Sequence, residues 1–275
     1  MNTVRRGPAP QLLKSWLKSL FRSFGIGITR YSTLERLRSG ELAQIGASND
    51  LAFLRTISEP ELLQKALDHL VHSKAQLRQD LFVLSKLGFK SSGFFVEFGA
   101  TNGVNLSNTH LLEKEFGWSG ILAEPARCWH ADLTRNRSAI IDTRCVWTTS
   151  GSSLVFNEVS SAEYSTVSSY SGTDSHVEIR RTGSEYSVNT ISLLDLLEEH
   201  NAPEVIDYLS IDTEGSEFDI LKGFDFSRYK FRVITCEHNY TPMRHKIFEL
   251  LTANGYSRVS QEVSAFDDWY VLNGL

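Results

Sequence analysis

FFVEFGATNGVNLSNTHLLEKEFGWSGILAEP, residues 94–125, is the stretch that decides the fold. Phe94, Phe95 and Val96 form an apolar run that ends in Glu97, and Gly99 and Gly103 mark a turn. A helical segment follows. A second apolar run, Ile121-Leu122-Ala123, then ends in another acid, Glu124. Strand, glycine-rich loop, helix, strand and carboxylate make a βαβ unit, which builds a nucleotide site at the carboxyl ends of its strands.

The loop narrows the ligand. Glycines lack a Cβ, so Gly99 and Gly103 let the backbone turn sharply and approach a bound molecule. Their spacing, Glu-x-Gly-x-x-x-Gly, is not the dinucleotide fingerprint, and no Walker Lys-Ser/Thr follows. An acid just before the glycines repels a pyrophosphate and suits a cationic group. Glu124 comes 27 residues after Glu97, near the ~20-residue offset of a ribose-binding carboxylate. Ribose plus a positive charge, without phosphate, describes S-adenosylmethionine. The plainer alternative is two solvated strand ends joined by an ordinary turn; it accounts for each feature alone better than for both together.

Composition bounds the remainder. The 275 residues, 41% hydrophobic and 22% charged, suffice for one domain with a sizeable core plus an extension. A formal charge of −5 argues against a general nucleic-acid binder. Cys128, Cys145 and Cys236 lack CxxC spacing, fall in or near apolar runs and read as buried free thiols in a reducing compartment. His69 and His72 stand three apart on an expected helix, but no nearby Cys/His cluster supports a metal there.

Charge is spread unevenly. Residues 1–38 carry eight Lys and Arg against Glu35 alone, a net of +7. Within residues 11–24, Leu12, Leu13, Trp16, Leu17, Leu20, Phe21 and Phe24 share one helical face, opposite Lys14, Lys18 and Arg22. Such a helix can lie on an anionic membrane surface or dock on its own domain. No apolar run is long enough to span a bilayer, and basic residues interrupt any signal-peptide core. The expectation is a cytoplasmic protein, with peripheral contact at the inner membrane surface through residues 11–24 as an open option. Residues 1–74 read as an N-terminal helical extension and 75–275 as the main domain.

Beyond the opening unit, helices are expected over 33–45, 59–73, 73–87, 127–137, 193–200, 217–222 and 241–253. Strands are expected over 139–147, 205–211 and 231–236, with a short antiparallel pair at 256–259 and 268–272. The Ser/Thr/Tyr-rich stretch 151–181 reads as a hairpin followed by a flap over the site. Alternating strands and helices indicate an α/β, doubly wound, mostly parallel sheet closed by an antiparallel hairpin.

Two more constellations fall at strand ends. One strand runs into Asp212-Thr213-Glu214-Gly215-Ser216-Glu217, the next into Cys236-Glu237-His238-Asn239. In a sheet of this order both ends face the crevice of the glycine loop. Asp212, Glu214, Glu237 and His238 offer either oxygen-rich ligands for Mg²⁺ or Mn²⁺ or a general base for a hydroxyl. Glu217 reads instead as a helix-start acid.

VEFGATNGVNLSNT, ILAEP, TISLLDLL, IDYLSIDTEGSEFDIL and CEHNYT, in this order, resemble the FkbM-type methyltransferases, S-adenosylmethionine-dependent enzymes with a Rossmann-like class I sheet. The resemblance spans roughly residues 75–272, and IDTEGSE is its most specific part. It implies O-methylation of a hydroxyl, on a sugar of a surface glycan or on a glycosylated metabolite. It places Glu97, Gly99, Ala100, Gly103 and Asn105 at the methionine end, Glu124 on the ribose, and Cys145 and Val146 beside the adenine. Related sugar O-methyltransferases can hold a metal with acids after the fourth and fifth strands. Here that implies either Mg²⁺ or Mn²⁺ on Asp212, Glu237 and His238, or His238 free as the base with Asp212 and Glu214 completing the catalytic set. The partner is then a small-molecule or glycan acceptor. Protein or lipid acceptors, and a non-catalytic S-adenosylmethionine- or glycan-binding module of an assembly complex, are the alternatives.

Overall fold

A computed structural model describes residues 45–172 and 176–275. The basic stretch 11–24, and nearly all of the helix expected over 33–45, lie outside the described residues. The chain divides into two compact units, Met1–Asn49 and Asp50–Leu275.

The strands are β1 (Phe94–Phe98), β2 (Ser119–Ala123), β3 (Ile140–Asp142), β4 (Cys145–Trp147), β5 (Ser153–Glu158), β6 (Thr166–Val167), β7 (Ser184–Ser192), β8 (Val205–Ile211), β9 (Lys230–Glu237), β10 (Tyr256–Val259) and β11 (Asp267–Leu272). Seven form the main sheet, in the order β10-β11-β9-β8-β1-β2-β3. Strands β3, β2, β1, β8 and β9 run parallel, and β11 is antiparallel to both β9 and β10. This is the expected Rossmann-like, mostly parallel sheet with its terminal antiparallel hairpin.

Strand alternation feeds two cores. Val96, Phe98, Ile121, Ala123, Leu209, Ile211 and Ile234 face the helices Leu193–Glu199, Glu217–Lys222 and Met243–Ala253. Phe95, Leu122, Tyr208, Val233 and Trp269 face the helices Gln79–Lys86 and His110–Phe116 on the other side. Full burial of each Val, Leu, Ile or Phe among them stabilises by roughly 1.5–3 kcal/mol, and both faces are covered, as a parallel sheet requires. Phe53, Leu54 and Ala66 belong to the second core, so the packed unit reaches upstream of residue 75. Trp269 and Tyr270 are fully buried and serve packing.

The single strand expected over 139–147 is broken in two. The Asp142 side chain accepts the Arg144 backbone N–H at 2.9 Å, a local turn that competes with the extended chain. Only β3 stays in the main sheet; β4 joins a second, four-stranded sheet in the order β4-β7-β5-β6. This sheet builds the 151–181 excursion around a β5–β7 antiparallel pair. After it, Ser192 caps the next helix by accepting the Asp195 N–H at 3.1 Å. Among the described residues, no helix is long and apolar enough to cross a membrane.

Candidate active site

The carboxyl ends of the parallel strands bring a row of acids to one crevice: Glu97 is the penultimate residue of β1, Glu124 follows β2, Asp212 follows β8 and Glu237 ends β9. The antiparallel strand β11 starts at the same edge, and its first residue, Asp267, stands in register with Glu237. Beside them lies a solvent-open cavity whose empty space, open solvent included, is about 1040 Å³. Glu97, Glu124, Glu163, Asp212, Glu214 and Asp267 line it, and among the described residues no Lys, Arg or His does.

Glu97 is buried and organises the glycine loop. It accepts the Asn108 N–H at 2.7 Å, the Thr109 hydroxyl at 2.5 Å and the Ser107 hydroxyl at 3.1 Å. Burial raises its carboxyl, while the Arg137 guanidinium, 3.7 Å away, works against that rise. Arg137 also donates to the Gly103 carbonyl at 3.1 Å and pairs with Glu113 at 2.8 Å, so one buried cation closes the loop from behind.

Glu124 accepts the Thr101 N–H at 2.8 Å and the Ala126 N–H at 2.8 Å, one from the loop after each of the first two strands. Burial pushes its carboxyl up to about 7 against these two bonds. A carboxylate has about four acceptor positions, so two lone-pair directions remain for hydroxyls in the cavity. Cys145 and Val146 line the adjoining wall.

Gly99 lines the cavity and has a second task besides. It adopts φ +76°, and a Cβ there would stand 2.2 Å from the Asp212 carbonyl oxygen. Its bare backbone makes room for the β8 end. Gly103 likewise makes room for Leu133 and Arg137, at 2.8 and 2.6 Å from a Cβ built there. Ala100 is buried in the core and Asn105 is exposed; with Gly103, they stand outside the cavity lining.

At the other end of the cavity, ligand oxygens of Asp212, Glu214 and Glu237 lie within 4.8 Å of one another. Burial pushes the Asp212 carboxyl up to about 6 and raises Glu237 well above the ordinary range, with the Asp212 charge adding to the rise at Glu237. Glu237 is 8% exposed, and its Oε2 is buried without a hydrogen-bond partner. Glu214, at φ +58°, pairs with the buried Arg180 at 2.8 Å. The Arg180 Nε–H donates to the Tyr164 carbonyl at 2.8 Å, linking the 151–181 excursion to the trio. Glu217 spends itself on the turn before its own helix, accepting the Gly215 and Thr213 N–H groups at 2.9 and 3.0 Å.

His238, expected as base or metal ligand, is not brought to this cluster. Adjacent residues of an extended chain point to opposite sides, so Glu237 turns to the carboxylates and His238 away. Its Nδ1 accepts the Tyr240 N–H at 3.0 Å and its Nε2 faces Asp268 at 3.8 Å. Burial lowers its basicity, with Asp268 opposing. The oxygen-only trio of Asp212, Glu214 and Glu237 therefore replaces the Asp212–Glu237–His238 set.

Sequence reasoning missed Asp267 and Gln79, whose Nε2–H donates to the Asp267 Oδ2 at 2.7 Å. Burial pushes Asp267 up to about 7. The available signal was topological: a strand entering the sheet antiparallel begins where its parallel neighbour ends.

The family model described as methyltransferase FkbM domain matches residues 97–258. No curated protein matches the chain. Among solved structures, the methyltransferase FkbM from Methylobacillus flagellatus KT is 13% identical, with a TM-score of 0.46 over 98% of this chain and 72% of that one. A human methyltransferase 10 domain containing protein is 13% identical, with a TM-score of 0.38 over 72% of this chain and 82% of that one. The precorrin-6y C5,15-methyltransferase from Geobacter metallireducens GS-15 is 12% identical, with a TM-score of 0.36 over 70% and 85%. With more than half of its residues matched by the family model, the chain belongs to the FkbM methyltransferase family.

Proposed function

We propose that the chain is an S-adenosylmethionine-dependent O-methyltransferase acting on a hydroxyl of a sugar, in a surface glycan or a glycosylated metabolite. One observation carries the cofactor assignment: a cavity lined by six carboxylates and, among the described residues, by no cation. Such a wall repels a nucleotide's phosphates and favours a sulfonium and an ammonium. When bound, S-adenosylmethionine supplies an electrophilic methyl group whose loss leaves a neutral thioether. Glu124 is suited to the ribose hydroxyls through its remaining lone pairs, Cys145 and Val146 to an apolar base, and the Glu97 side to the cationic end.

The catalytic end is the trio. An acceptor hydroxyl placed there loses its proton to the Asp212 carboxylate as its oxygen forms the new bond to the methyl carbon. A carboxyl held near 6 is ionised at neutral pH yet more basic than a solvated aspartate. Alignment is the larger contribution, and the excursion tied down by the Arg180–Glu214 pair borders the site, with Glu163 in the cavity wall. The same three carboxylates offer the all-oxygen donor set of Mg²⁺ or Mn²⁺, and the unpartnered Glu237 Oε2 fits such an ion. The ion would screen the three charges and acidify the hydroxyl. We place the protein in the cytoplasm.

The test is transfer of a labelled methyl group to a panel of oligosaccharide, glycolipid and nucleotide-sugar acceptors, with Asp212→Asn as the control. Turnover of a sugar hydroxyl that Asp212→Asn loses supports the proposal. Turnover of only protein or non-sugar lipid acceptors overturns the sugar assignment, and no turnover by folded, cofactor-binding protein overturns the catalytic one.

A further inference from the structure

A second cluster of ligating side chains lies outside the cavity and plays no part in the proposed reaction. His69 ends the helix Pro60–His69, and His72 follows in a turn whose N–H donates to the His69 carbonyl at 3.0 Å. Glu115, 46 residues beyond His69, lies in the last turn of the helix His110–Phe116. Two histidines three apart gave no metal signal in sequence because the third ligand comes from elsewhere.

Both imidazoles turn the same atom to one carboxylate. His69 Nδ1 is 2.7 Å from Glu115 Oε2, and His72 Nδ1 is 2.5 Å from Oε1. One ligand atom from each residue lies within 4.8 Å of the other two. A surface ion pair would need only one ring. Two rings on the two oxygens of a single carboxylate set two nitrogen donors and an oxygen donor around a common point. The His69 ring is held there by Phe116, at 4.9 Å between centroids, and by Phe89, stacked at 6.3 Å. A ligand locked by packing loses less freedom on binding an ion. His72, with 52% of its side chain exposed, leaves a side open to water.

We infer that His69, His72 and Glu115 form a structural site for a transition-metal ion of the Zn²⁺ class. Two imidazole nitrogens and one carboxylate oxygen suit Zn²⁺ and disfavour Mg²⁺ and Ca²⁺, which prefer all-oxygen shells. Tetrahedral Zn²⁺ with bonds of ~2.0–2.1 Å needs donors roughly 3.3 Å apart, so the short contacts must widen by under about 1 Å. Partly exposed side chains can make that shift. Each neutral imidazole binds through Nδ1 as its Nε2–H tautomer, with water in the fourth position. His69 also sits in the last turn of a ten-residue helix, where the dipole favours a cation. The bound ion would tie the segment 60–72 to the helix that leaves the glycine loop, and binding only to the folded chain would raise its melting temperature.

The experiment titrates Zn²⁺ alone into the EDTA-treated full chain, followed by calorimetry and by thermal unfolding, for the wild type, His72→Ala, Glu115→Gln and Asp212→Asn. All three substituted positions are at least partly exposed, so metal-free melting curves serve to verify that each variant folds. Expected are one Zn²⁺ per chain with a higher melting temperature in the wild type and Asp212→Asn, and affinity reduced at least ~10-fold in the other two. Co²⁺ in its place should give the visible absorption of a nitrogen- and oxygen-ligated site, absent from His72→Ala. No binding to the wild type, or unchanged affinity in folded His72→Ala or Glu115→Gln, overturns the site.

Discussion

Replacing Gly99 by alanine tests how rigidly the crevice is built. Gly99 and Asp212 follow directly on Phe98 and Ile211, which are paired in register on β1 and β8. The new Cβ would stand 2.2 Å from the Asp212 carbonyl oxygen and 3.3 Å from its carbon. Favourable contacts between carbons begin near ~3.5 Å, and neither atom can rotate away because both are backbone. Holding alanine at a left-handed φ costs about 1–2 kcal/mol, and overpacking a fixed wall about 1–3 kcal/mol. The total, ~2–5 kcal/mol, is a large part of the ~5–15 kcal/mol that holds a domain together. Gly117→Ala is the internal control: its φ is +64°, but nothing lies within 4 Å of a Cβ there. Urea unfolding of both variants should show Gly99→Ala losing the larger amount, with an unchanged denaturant slope. S-adenosylhomocysteine binding should fall as well, because relief requires the β1 and β8 ends to splay. Equal stability losses in the two variants would refute the close approach as a constraint.

Three further outcomes follow from the buried charges. Arg137→Met should cost about 3–5 kcal/mol in urea unfolding, since it leaves Glu97 and Glu113 without their buried cation. Glu237→Gln should raise the melting temperature, with a gain of about 1 kcal/mol, by removing one of three crowded carboxylates; any Mg²⁺ or Mn²⁺ stimulation of methyl transfer should vanish with it. Burial pushes Glu124 and Asp267 up to about 7, so the folded chain keeps protons that the unfolded chain releases near its ordinary carboxyl range. The stability from these two groups is full at low pH and is lost as pH rises through about 7. Urea midpoints from pH 5 to 8 should show that fall, and Glu124→Gln should flatten it.

The opening βαβ unit and the acid at each strand end were legible because strand period, glycine and carboxylate are local signals. Strand β8 and the hairpin strand β10 have the bounds expected for them, 205–211 and 256–259. What failed depended on direction or distance. Glu237 and His238 are neighbours in sequence, yet the extended chain sends them to opposite sides, and nothing local says which side faces the site. Gly99 and Gly103 announced a need for bare backbone, but the crowding atoms belong to Asp212, Leu133 and Arg137. The break at Thr143 came from one side-chain bond, Asp142 to the Arg144 N–H, inside a run that otherwise reads as strand. Asp267 joined the site through strand pairing, and Glu115 met His69 and His72 through helix packing; neither leaves a trace in spacing. Residues 50–73 read as extension because their apolar face gives no sign that its partner is the main sheet.

The most direct test of the central claim is calorimetric binding of S-adenosylhomocysteine to the wild type and to Glu124→Gln. Glutamine keeps the shape and one acceptor for the Thr101 or Ala126 N–H while removing the charge that would hold the ribose. Hydrogen bonds to a charged group are worth about 1.5–3 kcal/mol, so the account predicts stoichiometric wild-type binding that weakens roughly 10-fold or more in the variant. Folded wild-type protein that binds no S-adenosylhomocysteine, or a variant that binds it equally well, would contradict it.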